Sequence, residues 1–321
     1  MALHFEIVKV KGQREQETRC LAYKDDQFRG SVRVISEGVE TALLVDLQAE
    51  ADDVDIKRQL LSEIEKELPN RRVMAYGSFA DLPVYEAAGY GRCKNAWTYF
   101  RTGFLEQDFL PPGYRYESEF LALEETPGED PGKGLGKDPG KDPGEDSKAQ
   151  QEIKKITNSA AGIVYTDDLT GVSYKEVNEL LTHAFFGRPH DPEKTEKAFL
   201  SSSYRLFAFD QGRLVGAARA VTDHKRYATI LNVAVEPEYQ GRSIGKNLVL
   251  RLAGTIREEI IVLNTHPGAI GFYNRLEEFR RNKYVFEKFV AGPQEERKRG
   301  GNAAFRTQMF TPAGYRFPDE Y

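Results

Sequence analysis

The chain repeats itself. Laid with Leu47 on Val235, residues 47–85 run without a gap along residues 235–273, which brings Tyr85 onto Tyr273. The stretch "VDLQAEADDVDIKRQLLSEIEKEL" follows the apolar period of "VAVEPEYQGRSIGKNLVLRLAGTI". With a two-residue adjustment "CLAYKDDQFRGSVRVI" follows "LFAFDQGRLVGAARAV", placing Gly30 on Gly216. The ends agree as well, "FLPPGYRYESEF" at 109–120 with "FTPAGYRFPDEY" at 310–321. Three matches in one order identify an internal duplication, so the same architecture is expected twice. Between the copies, residues 127–147 repeat Pro-Gly units with acids and bases and hold almost no apolar side chain. Such a segment buries no core and reads as a linker. The expected division is a domain at 1–126, a linker at 127–150 and a second domain at 151–321.

The second copy shows the elements most clearly. "GIVYTDD" reads as a strand, "SYKEVNELLTHAFF" as an amphipathic helix, and "DPEKTEKAFLSS" as a helix with Asp191 as N-cap and Pro192 at its first position. Two strands joined by an Asp-Gln-Gly turn follow in "RLFAFDQGRLVGAARAVTD", then a third in "ATILNVAVE". The helix "GKNLVLRLAGTIREE", the strand "IIVLNT", the helix "PGAIGFYNRLEEF" and the closing strands "NKYVFEKFV" and "FRTQMFTPAGYRF" complete it. This order describes an α/β fold built on a mixed, mostly antiparallel sheet flanked by helices.

Composition limits the partners. A net charge of −5 gives no electrostatic footprint for nucleic acid or an anionic membrane, and "EERKRG" at 295–300 reads as a solvated loop. No apolar run reaches the roughly 18 residues of a membrane span, and the start reads as no signal peptide. Two cysteines, Cys20 and Cys93, argue against a disulfide framework and favour a reducing compartment, so the expected location is the cytoplasm. The five histidines lack metal-ligand spacing, and no metal is expected.

Chemistry gathers at "YQGRSIGKNLV", residues 239–249, between a strand and a helix. Gly241 and Gly245 allow close backbone approach, and the N–H groups at a helix start favour an anion. Arg242 and Lys246 add positive charge, and Ser243 offers a cap and a hydroxyl. The run "VAVEPEYQGRSIGKNLVLRL" resembles the acyl-CoA signature of the GNAT-family N-acetyltransferases, Q/R-x-x-G-x-G/A after a strand ending V-x-P, with Gln240, Ser243 and Gly245 at the signature positions. Ser243 stands where the family usually has its first glycine. "HPGAIGFYNRLEEF" is similar to the family's later helix, with Ala269 four residues before Tyr273, although "LEEF" replaces the usual Gly-Phe. The resemblance covers about residues 160–290.

The same resemblance implies a cofactor, its contacts and the groups that move protons. Acetyl-CoA is the cosubstrate, lying where the strand ending at Val235 splays from the strand at 261–264. Its pantetheine pairs with the backbone of Val233, Ala234 and Val235, and its phosphates meet Gln240, Gly241, Arg242, Ser243, Ile244, Gly245 and Lys246. Asn264 and Phe272 complete the cofactor contacts, and Tyr273 protonates the leaving thiolate. The base is sought among Glu236, Asn232, His266, Asp223 and His224, with Glu236 placed first and a water chain as the alternative. Phe185, Phe186, Arg188 and His190 fall in the acceptor loop. The acceptor is a primary amine, of a small molecule in the first reading and of a protein N-terminus or lysine in the second; a non-catalytic CoA-binding scaffold is the third. The matching tails also allow exchange between two copies in a homodimer.

The first copy reads as degenerate. Asp52, Asp53, Val54, Asp55, Ile56 and Lys57 occupy the places of Gln240 to Gly245. Three carboxylates there repel a pyrophosphate, at about 1 kcal/mol per exposed pair at 4 Å in water. That copy also lacks the two helices at 172–202, so it is expected to be structural or to shape the acceptor site.

Overall fold

The computed structural model describes residues 3–11, 15–68, 71–100, 109–110, 162–184, 191–290, 309–311 and 315–317. The expected linker and the expected acceptor-loop residues Phe185, Phe186, Arg188 and His190 lie outside them.

In the first half the described elements are β1 (His4–Lys11), β2 (Gln16–Lys24), β3 (Gln27–Ser36), β4 (Thr41–Ala49), α1 (Val54–Glu65), β5 (Arg71–Tyr76), α2 (Leu82–Ala87), β6 (Gly91–Arg92) and β7 (Ala96–Phe100). In the second they are β8 (Ile163–Thr166), α3 (Tyr174–Ala184), α4 (Pro192–Leu200), β9 (Tyr204–Asp210), β10 (Arg213–Thr222), β11 (Tyr227–Val235), α5 (Ile244–Thr255), β12 (Ile260–Asn264), α6 (Ile270–Tyr273), β13 (Arg280–Arg281) and β14 (Val285–Val290). The N-cap at Asp191 forms as expected, its carboxylate accepting from Glu193 N and Lys194 N. The expected helix over 267–279 shortens to a 3₁₀ turn and the single turn of α6, because Leu276 and Phe279 turn into the core ahead of β13.

The strands form two seven-stranded sheets, ordered β1-β2-β3-β4-β5-β14-β6 and β13-β7-β12-β11-β10-β9-β8. Each takes its closing strand from the other half: β14 lies between β5 and β6, and β7 between β12 and β13. These two strands occupy equivalent places in the repeat, so the exchange is reciprocal. The tails follow suit, Phe109 bridging Asn282 and Phe310 bridging Cys93. Exchanged strands thus join the two halves.

The duplication is visible in packing. A Cβ on Gly30 would meet the Gln48 carbonyl of β4 at 2.5 Å and the Leu60 side chain at 3.2 Å, and one on Gly216 would meet Leu248 at 3.0 Å, so both glycines make room for the helix that crosses their sheet, and Gly30 also for its neighbouring strand. One core lies beneath α5 and includes Trp97 and Tyr273; its counterpart lies beneath α1 and includes Tyr85 and Phe286. A third cluster joins the sheets through Ile35, Leu43, Met74, Cys93, Val221, Leu231 and Val285. Beside it, Arg33 donates to Asp223 at 2.6 Å while Arg219 pairs with Glu37 at 3.6 Å, two reciprocal ion pairs whose four side chains are at most 9% exposed. The carboxylates are further satisfied by backbone N–H groups: Asp223 Oδ1 accepts from Lys225, Arg226 and Tyr227, and Glu37 Oε1 from Glu40 and Thr41. Buried charges persist only when so paired. Both cysteines are buried and free. Among the described residues no helix is long and apolar enough to cross a membrane.

Candidate active site

β11 and β12 are parallel, and they pair only from Tyr227 to Thr229 against Ile260 to Val262. Beyond Thr229 the strands part, leaving the rest of β11, with Val233, Ala234 and Val235, unpaired with β12. This gap has the open backbone edge that a pantetheine needs. On the other side β11 stays bonded to β10, with a register shift where Asn232 takes a positive φ of 50°.

At the far end of the gap the chain turns into α5. Gly241 sits at φ +77° with nothing within 4 Å of where a Cβ would project, so the turn is left-handed and open. Ser243 also takes the left-handed conformation, at φ 60° and ψ 10°, and its side chain makes no capping bond. The expected serine cap is therefore absent: the left-handed backbone does not bring the hydroxyl to the helix. Among the described residues nothing accepts from the N–H groups of Gly245 and Lys246, and no carboxylate pairs with Arg242 or Lys246. Arg242 instead stacks 4.7 Å over the Tyr239 ring, whose hydroxyl donates to Asp210. Ile244 is buried in the core, and Phe272 packs 3.4 Å from a Cβ built on Gly245. Gln240 donates to Val235 O at 3.2 Å, holding the turn against the strand end. The result is a helix N-terminus without a side-chain cap, flanked by Arg242 and Lys246, which fits a pyrophosphate.

The equivalent place in the first half is filled. Asp53 Oδ1 accepts from Asp55 N and Ile56 N, capping α1 with its own carboxylate. Lys57, 4% exposed, reaches Asp52 and, at 3.3 Å, Asp81. An arriving phosphate meets carboxylates where the other half presents bare N–H groups.

Tyr273 lies in the helix-side core, 5% exposed, its ring 5.2 Å from Trp97 and 4.8 Å from Phe272. No described residue shares a hydrogen bond with its hydroxyl. Burial pushes its phenol well above the ordinary range, so it stays protonated and is less closely matched to a thiol than the sequence suggests. Asn264 turns the other way, donating to Glu287 Oε2 at 2.8 Å and to Cys93 Sγ.

The base candidates separate. Glu236, 7% exposed, faces α3, where His183 Nδ1 meets its carboxylate at 3.1 Å. Asn232 accepts from Arg219 Nε at 2.6 Å. Asp223 and His224 sit at the β10–β11 hairpin between the halves, bound to Arg33 and Glu15, where their role is structural. His266 caps the turn before α6 by accepting from Gly268 N. Two neighbours carry no mark in the sequence. His183 lies on α3 with nothing local to single it out, and Trp97 reaches Tyr273 only because β7 crosses into the second sheet. The match of "AWTYF" to "VFEKF" in the repeat held the signal for that strand, though not for its exchange.

Residues 174–277 match the acetyltransferase (GNAT) family. An uncharacterized N-acetyltransferase ycf52 of Porphyra purpurea is 31% identical over 121 residues, 35% of this chain and 68% of that protein. The chain belongs to the GNAT acetyltransferase family. A histone acetyltransferase TAP1 of Glycine max is 31% identical over 139 residues, 39% of this GNAT chain, which spans little more than half, 56%, of that relative's length. A tandem GNAT protein from the clavulanic acid biosynthesis pathway is a solved structure with a TM-score of 0.41 at 14% identity, covering 88% of this chain and 85% of that one.

The left-handed serine of this GNAT loop carries a testable cost. Ser243→Gly relieves a left-handed non-glycine residue, a strain of about 1–2 kcal/mol. The variant is expected to raise the midpoint of denaturant unfolding and to bind acetyl-CoA at least as tightly, read by equilibrium denaturation and calorimetry.

Proposed function

We propose that the protein transfers an acetyl group from acetyl-CoA to the primary amine of a small molecule, with one cofactor site per chain, in the second half. The observation that carries this is the contrast between the two helix starts: α5 is uncapped beside Arg242 and Lys246, whereas α1 is capped by Asp53 and crowded by Asp52, Asp55 and Lys57. The first half is then a structural partner that supplies β7 to the second sheet.

Acetyl-CoA supplies the activated thioester; the chain supplies position and proton transfer. Gln240 to Lys246 hold the phosphates, and the unpaired edge of β11 at Val233 to Val235 aligns the pantetheine arm. Glu236 and Tyr273 lie on opposite faces of the second sheet, one toward α3 and the other beneath α5. A thioester in the gap thus has a base on the face where the amine arrives and an acid on the face where the sulfur leaves. Glu236, held by His183, takes the proton from the acceptor ammonium, directly or through water. The Tyr273 hydroxyl gives its proton to the departing sulfur. Phe185, Phe186, Arg188 and His190 belong to the acceptor loop in this reading. A single buried carboxylate beside one imidazole suits the recognition of one ammonium, which favours a small acceptor over an extended peptide. Two buried thiols suit a reducing compartment, in our reading the cytoplasm.

The test is release of free CoA from acetyl-CoA in the presence of a panel of primary amines and of histone-tail peptides. Turnover with small amines alone supports the reading; turnover confined to peptides moves the acceptor class, and none with any amine removes the transferase. Tyr273→Phe is expected to lower kcat by 10²–10⁴-fold, the usual worth of a positioned acid, with acetyl-CoA affinity nearly unchanged. The raised phenol stays protonated, so kcat/KM is expected to rise with pH as the amine loses its proton, without a falling limb below about pH 10.

A further inference from the structure

The first half has lost its phosphate cradle and kept its gap. β4 and β5 pair only from Thr41 to Leu44 against Arg72 to Ala75. Beyond that point opens a cavity of about 330 Å³, at the lower end of the roughly 300–1,000 Å³ of small-molecule sites. Its walls include Tyr76, Tyr85, Tyr227, Asp46 and Asp81. Tyr227 is contributed by the second half, its ring 6.1 Å from that of Tyr76.

The charges are layered. Arg33 pairs with Asp46 at 2.6 Å and Lys57 with Asp81 at 3.3 Å, but the two basic side chains are 9% and 5% exposed against 38% and 25% for the two acids. The bases are sunk and the carboxylates face the open side. Arg226, also on the wall, is committed to Glu259 at 3.2 Å and lies over its own neighbour Tyr227. Tyr85 is 2% exposed and lines the cavity, yet no described residue shares a hydrogen bond with its hydroxyl. With no partner among the described residues and a place on the cavity wall, this hydroxyl is free to pair with a ligand held there.

We infer that this cavity binds a small organic ammonium, its head among Asp46, Asp81 and the Tyr85 hydroxyl and its body against the rings of Tyr76 and Tyr227. An ammonium supplies three donors where the walls supply acceptors, and aromatic faces attract a cation. Asp52, Asp53 and Asp55 at the mouth of α1 turn away the anionic ligand that the second half is built to take. Binding here stands apart from acyl transfer, since it needs neither the cofactor nor turnover.

The experiment is calorimetry on the full-length chain without acyl-CoA, using tyramine and its neutral analogue 4-ethylphenol. Tyramine is expected to bind, and 4-ethylphenol at least tenfold more weakly. Tyr85→Phe removes only the unpartnered hydroxyl, and Asp81→Asn removes a charge while keeping an oxygen for the Ser78 N–H. Each is expected to weaken tyramine about tenfold, the worth of one hydrogen bond to a charged group, with acetyl-CoA affinity unchanged; the thermal midpoint holds in Tyr85→Phe and falls in Asp81→Asn, which takes a carboxylate from the buried Lys57. Absence of tyramine binding at millimolar concentration, equal binding of 4-ethylphenol, or tyramine binding that wholly survives Tyr85→Phe overturns the inference. Should Asp81→Asn fail to fold, Tyr85→Phe decides alone.

Discussion

Reversing both cations of the cradle, Arg242→Glu together with Lys246→Glu, is expected to weaken acetyl-CoA binding by about three orders of magnitude. Each exposed pair near 4 Å contributes about 1 kcal/mol in water and more where water is displaced; reversal turns attraction into equal repulsion, and two reversals reach about 4 kcal/mol. Neither side chain makes an ion pair among the described residues, and Arg242 rests on Tyr239, so the fold loses little. The variant places carboxylates at the start of α5, as Asp52, Asp53 and Asp55 do at the start of α1. Calorimetry at two salt concentrations checks the electrostatic origin, since screening reduces the loss. A loss below about threefold places the phosphates elsewhere.

Trp97→Ala is expected to cost about 3–5 kcal/mol of stability and to abolish turnover in the surviving folded protein. Trp97 is 1% exposed, belongs to the core that holds Tyr273, and sits on the strand that crosses between the sheets. Its loss opens a cavity beneath Tyr273 and loosens the joint between the halves together. Because each sheet needs a strand of the other half, the chain is expected to unfold in a single transition before and after the substitution, read by denaturant titration with two spectroscopic signals. Trp97→Phe keeps an aromatic face against Tyr273 and is expected to restore most of the turnover.

The repeat, most of the element types and the glycine-flanked turn before α5 were legible in the sequence because each rests on local signals. Asp191 before Pro192 announces a helix start, Gln211-Gly212 announces a turn, and Gly241 with Gly245 announces close backbone approach. What resisted reading was partner choice. The alternation in "KNAWTYF" and "NKYVFEKFV" says that each is a strand, and nothing in it says which sheet receives the strand. The reciprocal pairs Arg33–Asp223 and Arg219–Glu37 escaped for the same reason, since a charged residue in a strand reads as solvated until its partner is placed. At the site, Ser243 read as a cap because its residue type favours caps, while its left-handed backbone denies it that bond. His183 and Trp97 were reached only through tertiary contacts with Glu236 and Tyr273.

The central claim is that one half holds acetyl-CoA and the other has surrendered it. Equilibrium dialysis of labelled acetyl-CoA against the full-length chain tests it most directly, with Arg242→Glu/Lys246→Glu alongside. The expected result is one molecule bound per wild-type chain and none by the charge-reversed variant at the same concentration. Two molecules per chain, or one that the variant retains, contradicts it.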